Sequence, residues 1–460
     1  MKKKKKIIFA AVVLLISLSV YVSNYDPNER ETNPQNQFNF SDFQGKTPDE
    51  SERLLRARIN LTDAIEKHPQ NSENYVELAG ILLREARVAG NDHDLLPEAE
   101  ELLETALQIS PENPAALAMK ASLLMKKHRF TEAHALAEKA VEINPNFAFA
   151  LGVLSDAYLE LGKYKKAVFF CDRMIQVRPD LSAYARVSYL RELHGDLPGA
   201  ISAMRLAADA GIAGQEARAW ALFNLGKLYL QNSKADTAEF IFRGILQERR
   251  QYAPAYQGLA LVLAAREEPD LALQMLRQAH DIKPDHVFKE EMANILRESG
   301  DETGAKFAVR QVLRDFRHHE ADGWNVNLEF AAFCIRHNIH SEESLQRLAL
   351  EYKNRPGNID VLDAYAWALY KAGQAKMALQ FIEPALRLNT RRSSLYYHAG
   401  MIYAENGQIE KGKMHFQKAI QYTQSPYSSI NKKIYEKLRA LDTNSEKNHD
   451  KLASTNTPGS

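Results

Sequence analysis

Two groups of histidine and acidic side chains in this sequence could bind a metal ion. His318 and His319 stand beside acidic residues, and His337 and His340 form a second such group after a short apolar run. Imidazole and carboxylate groups bind Zn²⁺ or Ni²⁺ when they converge in the fold. Neither group has the His-x-x-x-His spacing that places two ligands on one helix face. The sequence therefore favours solvated helix ends, and we expect no bound metal.

No other pattern in the chain indicates catalysis. The sequence has no glycine-rich phosphate loop, no Gly-x-Ser-x-Gly turn and no Cys-x-x-Cys pair. We therefore expect a protein that is not an enzyme and has no cofactor.

One small residue recurs along the chain with a period near 34. Seven alanines lie 34, 34, 33, 38, 34 and 33 residues apart, and after a gap of 73 residues the series resumes with an alanine and a glycine. The series is Ala99, Ala133, Ala167, Ala200, Ala238, Ala272, Ala305, Ala378 and Gly412. Such a period predicts stacked helix pairs rather than one compact core.

The recurring residue has companions at fixed distances. Ala121, Ala133, Ala140 and Pro145 are spaced by 12, 7 and 5 residues, and several other units repeat this spacing. Small side chains allow two helices to approach closely, and a proline ends the second helix because it cannot continue one. The pattern predicts two antiparallel helices in each unit.

These features are typical of the tetratricopeptide repeat, and residues 50–441 resemble that family. The segments at 225–229 and 366–373 are similar to its motif. The resemblance implies an all-α, right-handed superhelical solenoid of about nine to ten helix pairs. Because a stack keeps distant units apart, we expect Cys171 and Cys334 to remain unpaired.

The chain divides into five predicted regions by composition and register. These are a membrane segment at 1–23, a flexible tether at 24–50, the repeat array at 51–426 with a degenerate unit near 321–358, a capping helix at 427–441 and a disordered tail at 442–460. The degenerate unit coincides with the gap of 73 residues and contains the histidine groups.

The first helices of such arrays line a concave groove, and the resemblance therefore implies a binding surface there. Residues 11, 14, 15 and 18 positions before each recurring small residue share one helix face, and Tyr370 lies one helical step beyond Trp367. The predicted groove residues are Asp156, Arg186, Tyr189, Trp220, Phe223, Asn224, Lys227, Trp367, Tyr370, Tyr397 and His398. Aromatic rings and polar groups of this kind suit an extended peptide. For Trp220 and Trp367, packing between units is an equal alternative.

The charge balance bears on the partner. The chain has 59 basic and 59 acidic residues and a formal net charge of +0. Without a basic excess to displace counterions, we expect no nucleic acid among the partners. A protein or peptide in the groove is the expected partner.

The N-terminus predicts export. Lys2–Lys6 are followed by an apolar run from Ile7 to Val22. This layout favours an uncleaved signal-anchor, with cleavage and release to the periplasm as the alternative. The basic residues stay cytoplasmic, so the repeats would lie outside the cytoplasm of a bacterial cell envelope, anchored to the inner membrane.

The predicted function is a non-catalytic, membrane-tethered scaffold for protein interaction. Two alternatives remain at this stage. One is a factor for export or assembly of envelope polymers, and the other is a metal-binding accessory protein that uses the histidine-rich unit.

Overall fold

A computed structural model describes residues 50–89, 92–423 and 431–441, and this part of the chain is a succession of helices without β-strands. The helices are α1 (Glu50–Lys67), α2 (Ser72–Ala89), α3 (Asp92–Ile109), α4 (Pro114–Lys126), α5 (Phe130–Ile143), α6 (Ala148–Glu160), α7 (Tyr164–Val177), α8 (Leu181–Leu193), α9 (Leu197–Asp209), α10 (Glu216–Gln231), α11 (Ala235–Glu248), α12 (Ala253–Ala265), α13 (Pro269–Ile282), α14 (His286–Glu298), α15 (Glu302–Ala321), α16 (Asn327–Arg336), α17 (Ser341–Asn354), α18 (Ile359–Lys371), α19 (Ala375–Ala385), α20 (Ser393–Glu405), α21 (Ile409–Gln421) and α22 (431–441). From α2 to α21 the described helices form ten successive pairs. The expected all-α repeat solenoid is confirmed.

Local sequence explains where the helices begin and end. The Asn113 side chain accepts hydrogen bonds from the backbone N–H groups of Ala115 and Ala116, at 2.9 and 3.1 Å, and Pro114 follows it at the first helical position. This arrangement satisfies donors that lack a partner inside the helix. After α6 the chain turns at Gly162, whose φ of +71° favours glycine.

The recurring small residues lie where the helices cross. Ala133 and Ala167 are fully buried, at 0% exposure. Gly226 and Gly258 lie on either side of the Phe242 ring, and a Cβ atom added to either glycine would come closer than 3.0 Å to it. Small side chains at these positions let aromatic rings fill the space between helices, because the interior has no room for both.

The unit near 321–358, which was expected to be degenerate, keeps the period but has Ser344 and Glu351 where other units have alanine. Ser344 stands 39 residues after Ala305 and 34 before Ala378, and it is 0% exposed. Its hydroxyl donates to the His340 carbonyl at 2.8 Å, which satisfies the polar group inside the core. Glu351 follows after seven residues, in the position that Ala140 has in its own unit.

The expectation that distant units stay apart is wrong. The N–H of Asn325 donates to the carbonyl of Lys127 at 2.9 Å, and the N–H of Ile359 donates to the hydroxyl of Tyr164 at 2.9 Å, across 195 residues. Near the start of the described array, Glu50 accepts from Arg249 at 3.1 Å across 199 residues. The array returns onto itself about every six repeats. We call the contact between residues 127–195 and residues 324–390 the inter-turn seam.

Both cysteines are buried and free. At the other end of the described chain, Ile434 of α22 is 0% exposed and packs with Phe416 and Ala419, so α22 covers the apolar face of the last helix pair.

The predicted membrane segment and the predicted tail lie outside the described residues, as does the tether apart from Glu50. None of the helices that the structure describes is long and apolar enough to cross a membrane.

Candidate partner-binding cavity

A cavity of about 940 Å³ lies against the inner face of four successive first helices, α4, α6, α8 and α10. We call it the first-helix cavity. Its walls combine apolar side chains with charged ones, and the rings of Tyr189 and Trp220 are each 40% exposed. A space of this size, with rings and a few polar groups facing inward, is typical of a binding site.

The groove register locates part of this wall. Six of the predicted residues line the cavity, namely Asp156, Arg186, Tyr189, Trp220, Asn224 and Lys227. They come from three helix pairs, and the 33- to 38-residue spacing of the repeats places them side by side.

Phe223 is an exception. It is only 9% exposed and lies 5.9 Å from Phe242, measured between ring centroids, so it packs in the core. The position 15 residues before the recurring small residue is rotated away from the groove, because each residue turns an α-helix by about 100°.

The four predicted residues near the C-terminus form a separate cluster. Trp367 lies between the rings of Tyr370 and His398, at 4.9 and 4.2 Å, and Tyr397 is 5.6 Å away. His398 also contacts the Asp363 carboxylate at 2.9 Å. These side chains contact one another, and none of them lines the first-helix cavity.

One charged pair of the cavity wall is already matched. Arg186 holds Asp156 through two of its nitrogens, at 3.0 and 2.7 Å, and also donates to the hydroxyl of Ser182. A two-point contact of this kind fixes both side chains. Arg186 and Asp156 therefore shape the wall and offer little free binding capacity.

Two other charged residues of the wall remain uncommitted. The side chains of Glu192 and Lys227 have no hydrogen bond or ion pair within 4.0 Å to another described residue. Lys227 lies 5.5 Å above the ring of Phe223. These two groups, with the rings of Tyr189 and Trp220, are the part of the wall that an occupant can use.

Sequence reasoning missed part of the wall. Glu160, Glu192 and Gln231 line the cavity one helical turn beyond the predicted register, seven or eight residues before the recurring small residue. Extending the same face by three or four positions would have found them.

The inter-turn seam places residues from a distant part of the chain beside the cavity. The groove register could not have predicted them. Arg355 donates to Glu160 at 2.9 Å and to Glu351 at 2.8 Å, and its guanidinium lies 4.6 Å from the centre of the Phe130 ring. His128, which also lines the cavity, lies 3.2 Å from Glu329 across the seam. The cavity therefore borders the contact between the two turns.

Burial controls the protonation of this region. Burial raises the pKa of Glu160 to about 7, and the Arg355 guanidinium only partly opposes it. Burial likewise raises the pKa of Glu192. Burial lowers the pKa of His128, but Glu329 more than offsets this, so the pKa lies above its ordinary value.

These shifts predict that the seam is more stable in mild acid than at pH 8. A carboxyl whose pKa is raised on folding keeps its proton where the unfolded chain has lost it, so stability falls as the pH rises from 4.5 to about 7 at Glu160. The stabilisation at His128 is complete below 6.5 and is lost as the pH rises through its folded pKa. The lowered pKa of Glu329 acts oppositely, and its contribution is lost as the pH falls below 4.5.

We therefore expect the melting temperature to be highest at about pH 5 and to fall toward pH 8. Calorimetry across this range measures the effect, and a His128→Gln variant should show a smaller dependence. A melting temperature that rises from pH 6 to pH 8 would contradict the assignment.

The histidine groups do not assemble a metal site. Within the part of the chain that the structure describes, no group of three or more His, Cys, Asp or Glu side chains could hold a metal ion. His319 stacks on Trp324 at 5.1 Å, His337 lies beside Arg297 at 3.1 Å, and His340 lies 3.5 Å from Glu343. Like His319, His318 lies near the end of α15.

Sequence-family comparison identifies the repeats. The model of the tetratricopeptide repeat matches residues 393–426, and that of the second ARM domain of tetratricopeptide repeat protein 21 matches residues 58–196. The resemblance to the tetratricopeptide repeat family is confirmed, and proteins of this type are typically non-catalytic scaffolds. No curated protein shows significant sequence similarity to the chain.

Solved structures with similar folds are distant in sequence. A tetratricopeptide repeat protein from Parabacteroides merdae is 20% identical with a TM-score of 0.41, over 54% of this chain and 94% of that one. Pseudomonas aeruginosa pilF is 17% identical with a TM-score of 0.36, over 45% and 93%. The human IFIT1 dimer with PPP-AAAA is 13% identical with a TM-score of 0.41, over 82% and 95%. Identities this low show the fold alone.

The IFIT1 structure corrects one expectation. Excluding nucleic acid on the basis of net charge is wrong, because a helical repeat protein of similar fold is seen with PPP-AAAA. A net charge of +0 averages over the whole surface, whereas a ligand responds to the few charges that line its own site.

Proposed function

We propose that this chain is a non-catalytic scaffold that binds an extended segment of a partner protein in the first-helix cavity. The observation that supports this most is the grouping of Tyr189, Trp220 and Lys227, three side chains from two helix pairs, around one space of about 940 Å³. Tyrosine and tryptophan rings supply contact area with little loss of side-chain entropy, and they dominate the energetics of many interfaces.

The chemistry of the wall suits a polypeptide. The indole of Trp220 and the ammonium of Lys227 offer donors, and Glu192 offers acceptors. An extended segment presents both N–H and C=O groups, so it can satisfy both kinds of partner. A purely apolar ligand would leave the two uncommitted charges buried without partners, which is unfavourable.

We further propose that the array is exported and held at the inner membrane by residues 1–23, on the non-cytoplasmic side of a bacterial envelope. The support is the run of five lysines before an apolar stretch. Intact-mass measurement of the chain recovered from membranes tests this proposal, since a chain that retains Met1–Val22 in that fraction is expected. Recovery in the cytoplasm would overturn it.

Replacing Trp220 by alanine should weaken peptide binding by 10-fold or more, on the order of 1.4 kcal/mol, because its exposed ring lines the cavity. The probe is a dodecapeptide selected from a phage-displayed random library on the full chain, and titration calorimetry measures its affinity. Lys227→Ala should also weaken binding.

The matched control is Phe169→Ala. Phe169 is 56% exposed and lies on α7, a second helix, outside the cavity. This variant should bind the selected peptides as the unmodified chain does. If Trp220→Ala and Phe169→Ala have the same effect, or if neither has any, the cavity is not the peptide site.

A further inference from the structure

Carboxylates predominate among the charged groups around Tyr189. Burial raises the pKa of the Tyr189 hydroxyl, and the carboxylates of Asp360, Glu160 and Glu192 raise it further, whereas the Arg392 guanidinium lowers it. The ring is nevertheless 40% exposed, because it faces the open cavity. This end of the cavity therefore combines an accessible aromatic ring with a negative field.

The neighbouring cations are almost all committed to other partners. Arg355 serves two carboxylates, Glu351 and Glu160, and its side chain is only 5% exposed. Arg392 is paired with Asp360. Three carboxylates thus share two guanidinium groups. Glu192, beside them in the wall, has no ion pair within 4.0 Å to any described residue.

Lys227 does not remove this deficit. It lowers the pKa of Glu192 from a distance, as Arg392 also does, but burial outweighs both and the pKa remains raised. The ammonium instead lies over the Phe223 ring at 5.5 Å. A fixed carboxylate in a partly enclosed space without a paired cation is unfavourable, and an incoming cation would relieve the cost.

We infer that the partner segment in the first-helix cavity inserts a lysine or arginine side chain against the ring of Tyr189, next to the carboxylate of Glu192. This inference rests on the proposed function of the cavity. The ring offers its electron-rich face to the cation, Glu192 supplies the opposite charge, and the aliphatic part of the basic side chain covers the apolar wall. An acidic side chain at the same place would face the unpaired carboxylate of Glu192.

The test uses peptides selected from the dodecapeptide library on the full chain. We expect the selected peptides to share a lysine or arginine at one position. Replacing that residue by neutral norleucine should weaken binding about 10-fold, a change of about 1.4 kcal/mol. In the Glu192→Gln variant the same replacement should change the affinity less than 3-fold, since the carboxylate that distinguishes the two peptides is gone.

Two controls separate the possible outcomes. Glu132→Gln removes an exposed carboxylate that pairs with Arg129 on α5, away from the cavity, and should retain the full preference for the basic peptide. Selected peptides that lose affinity in Trp220→Ala but share no basic residue would overturn this inference and leave the proposed function intact. Selected peptides that are insensitive to Trp220→Ala would overturn both.

Discussion

Replacing Arg355 by methionine should destabilise the inter-turn seam by about 3–5 kcal/mol, the range expected when one partner of a buried ion pair is removed. The Arg355 side chain is 5% exposed and the Glu351 side chain 1% exposed. Without the guanidinium, Glu351 retains only hydrogen bonds from amides, such as that of Asn325 at 2.7 Å. Glu160 loses its ion pair across the seam at the same time and keeps the Asn358 amide, which donates to its carboxylate at 3.4 Å.

The loss should be local to the seam. Repeat arrays unfold through nearest-neighbour contacts, so one global free energy does not describe them. Hydrogen exchange measured by mass spectrometry resolves the effect, and we expect α6, α17 and the start of α18 to lose protection first. Helices α20 and α21 should change little.

Two variants distinguish the effect of leaving a buried charge without its partner from the general effect of replacing an arginine. Arg129→Met removes an arginine whose side chain is 38% exposed and which pairs with Glu132, and it should cost less than about 1 kcal/mol. The double variant Glu351→Leu with Arg355→Met replaces both charges by apolar groups and should recover much of the stability. If Arg355→Met is as mild as Arg129→Met, the buried cluster does not hold the seam.

Much of the fold follows from the period of small residues. Helices α4, α6, α8, α12, α14, α18 and α20 each begin 19 residues before one of the recurring small residues, at 114, 148, 181, 253, 286, 359 and 393. The register succeeds because each recurring alanine is set by a local crossing of two helices, which depends on neighbours within about 12 residues.

The apparent break at Ala305 shows where this reasoning fails. Counting alanine and glycine alone missed Ser344, because a serine can occupy a tight crossing when its hydroxyl donates to a nearby backbone carbonyl, here that of His340 just before the helix. Glu351 was missed for a related reason. A carboxylate in an alanine position is plausible only when its cation is known, and part of that environment comes from residues near 160.

The candidate site likewise contains residues that the sequence predicts and residues that it does not. Residues such as Tyr189 and Trp220 were found because the face of a helix is a local property. The pairing of Glu160 with Arg355 was not, because contact across 195 residues depends on the small rotation between successive units. That rotation accumulates over about six repeats, and no residue spacing in the sequence records it.

Alanine at Gly162 should open the seam, whereas alanine at Gly373 should not. Both glycines lie five residues before the recurring small residue, with φ values of +71° and +77°. A side chain at either one strains the backbone by about 1–2 kcal/mol. A Cβ atom at Gly373 would meet nothing within 4 Å, but one at Gly162 would come closer than 3.0 Å to backbone atoms of Gly357 and Asn358.

The pair of variants therefore separates the effect of breaking the inter-turn seam from the cost of straining the backbone at the glycine. Backbone atoms on the opposite side cannot rotate away as a flexible side chain could, so Gly162→Ala must separate the two turns. Small-angle X-ray scattering should show a larger radius of gyration for Gly162→Ala and an unchanged one for Gly373→Ala. The amide of Ile359, which donates to Tyr164 at 2.9 Å, should exchange faster only in Gly162→Ala. If the two variants behave alike, the inter-turn seam does not form in solution. The cavity would then lack the contact of Arg355 with Glu160 in its wall.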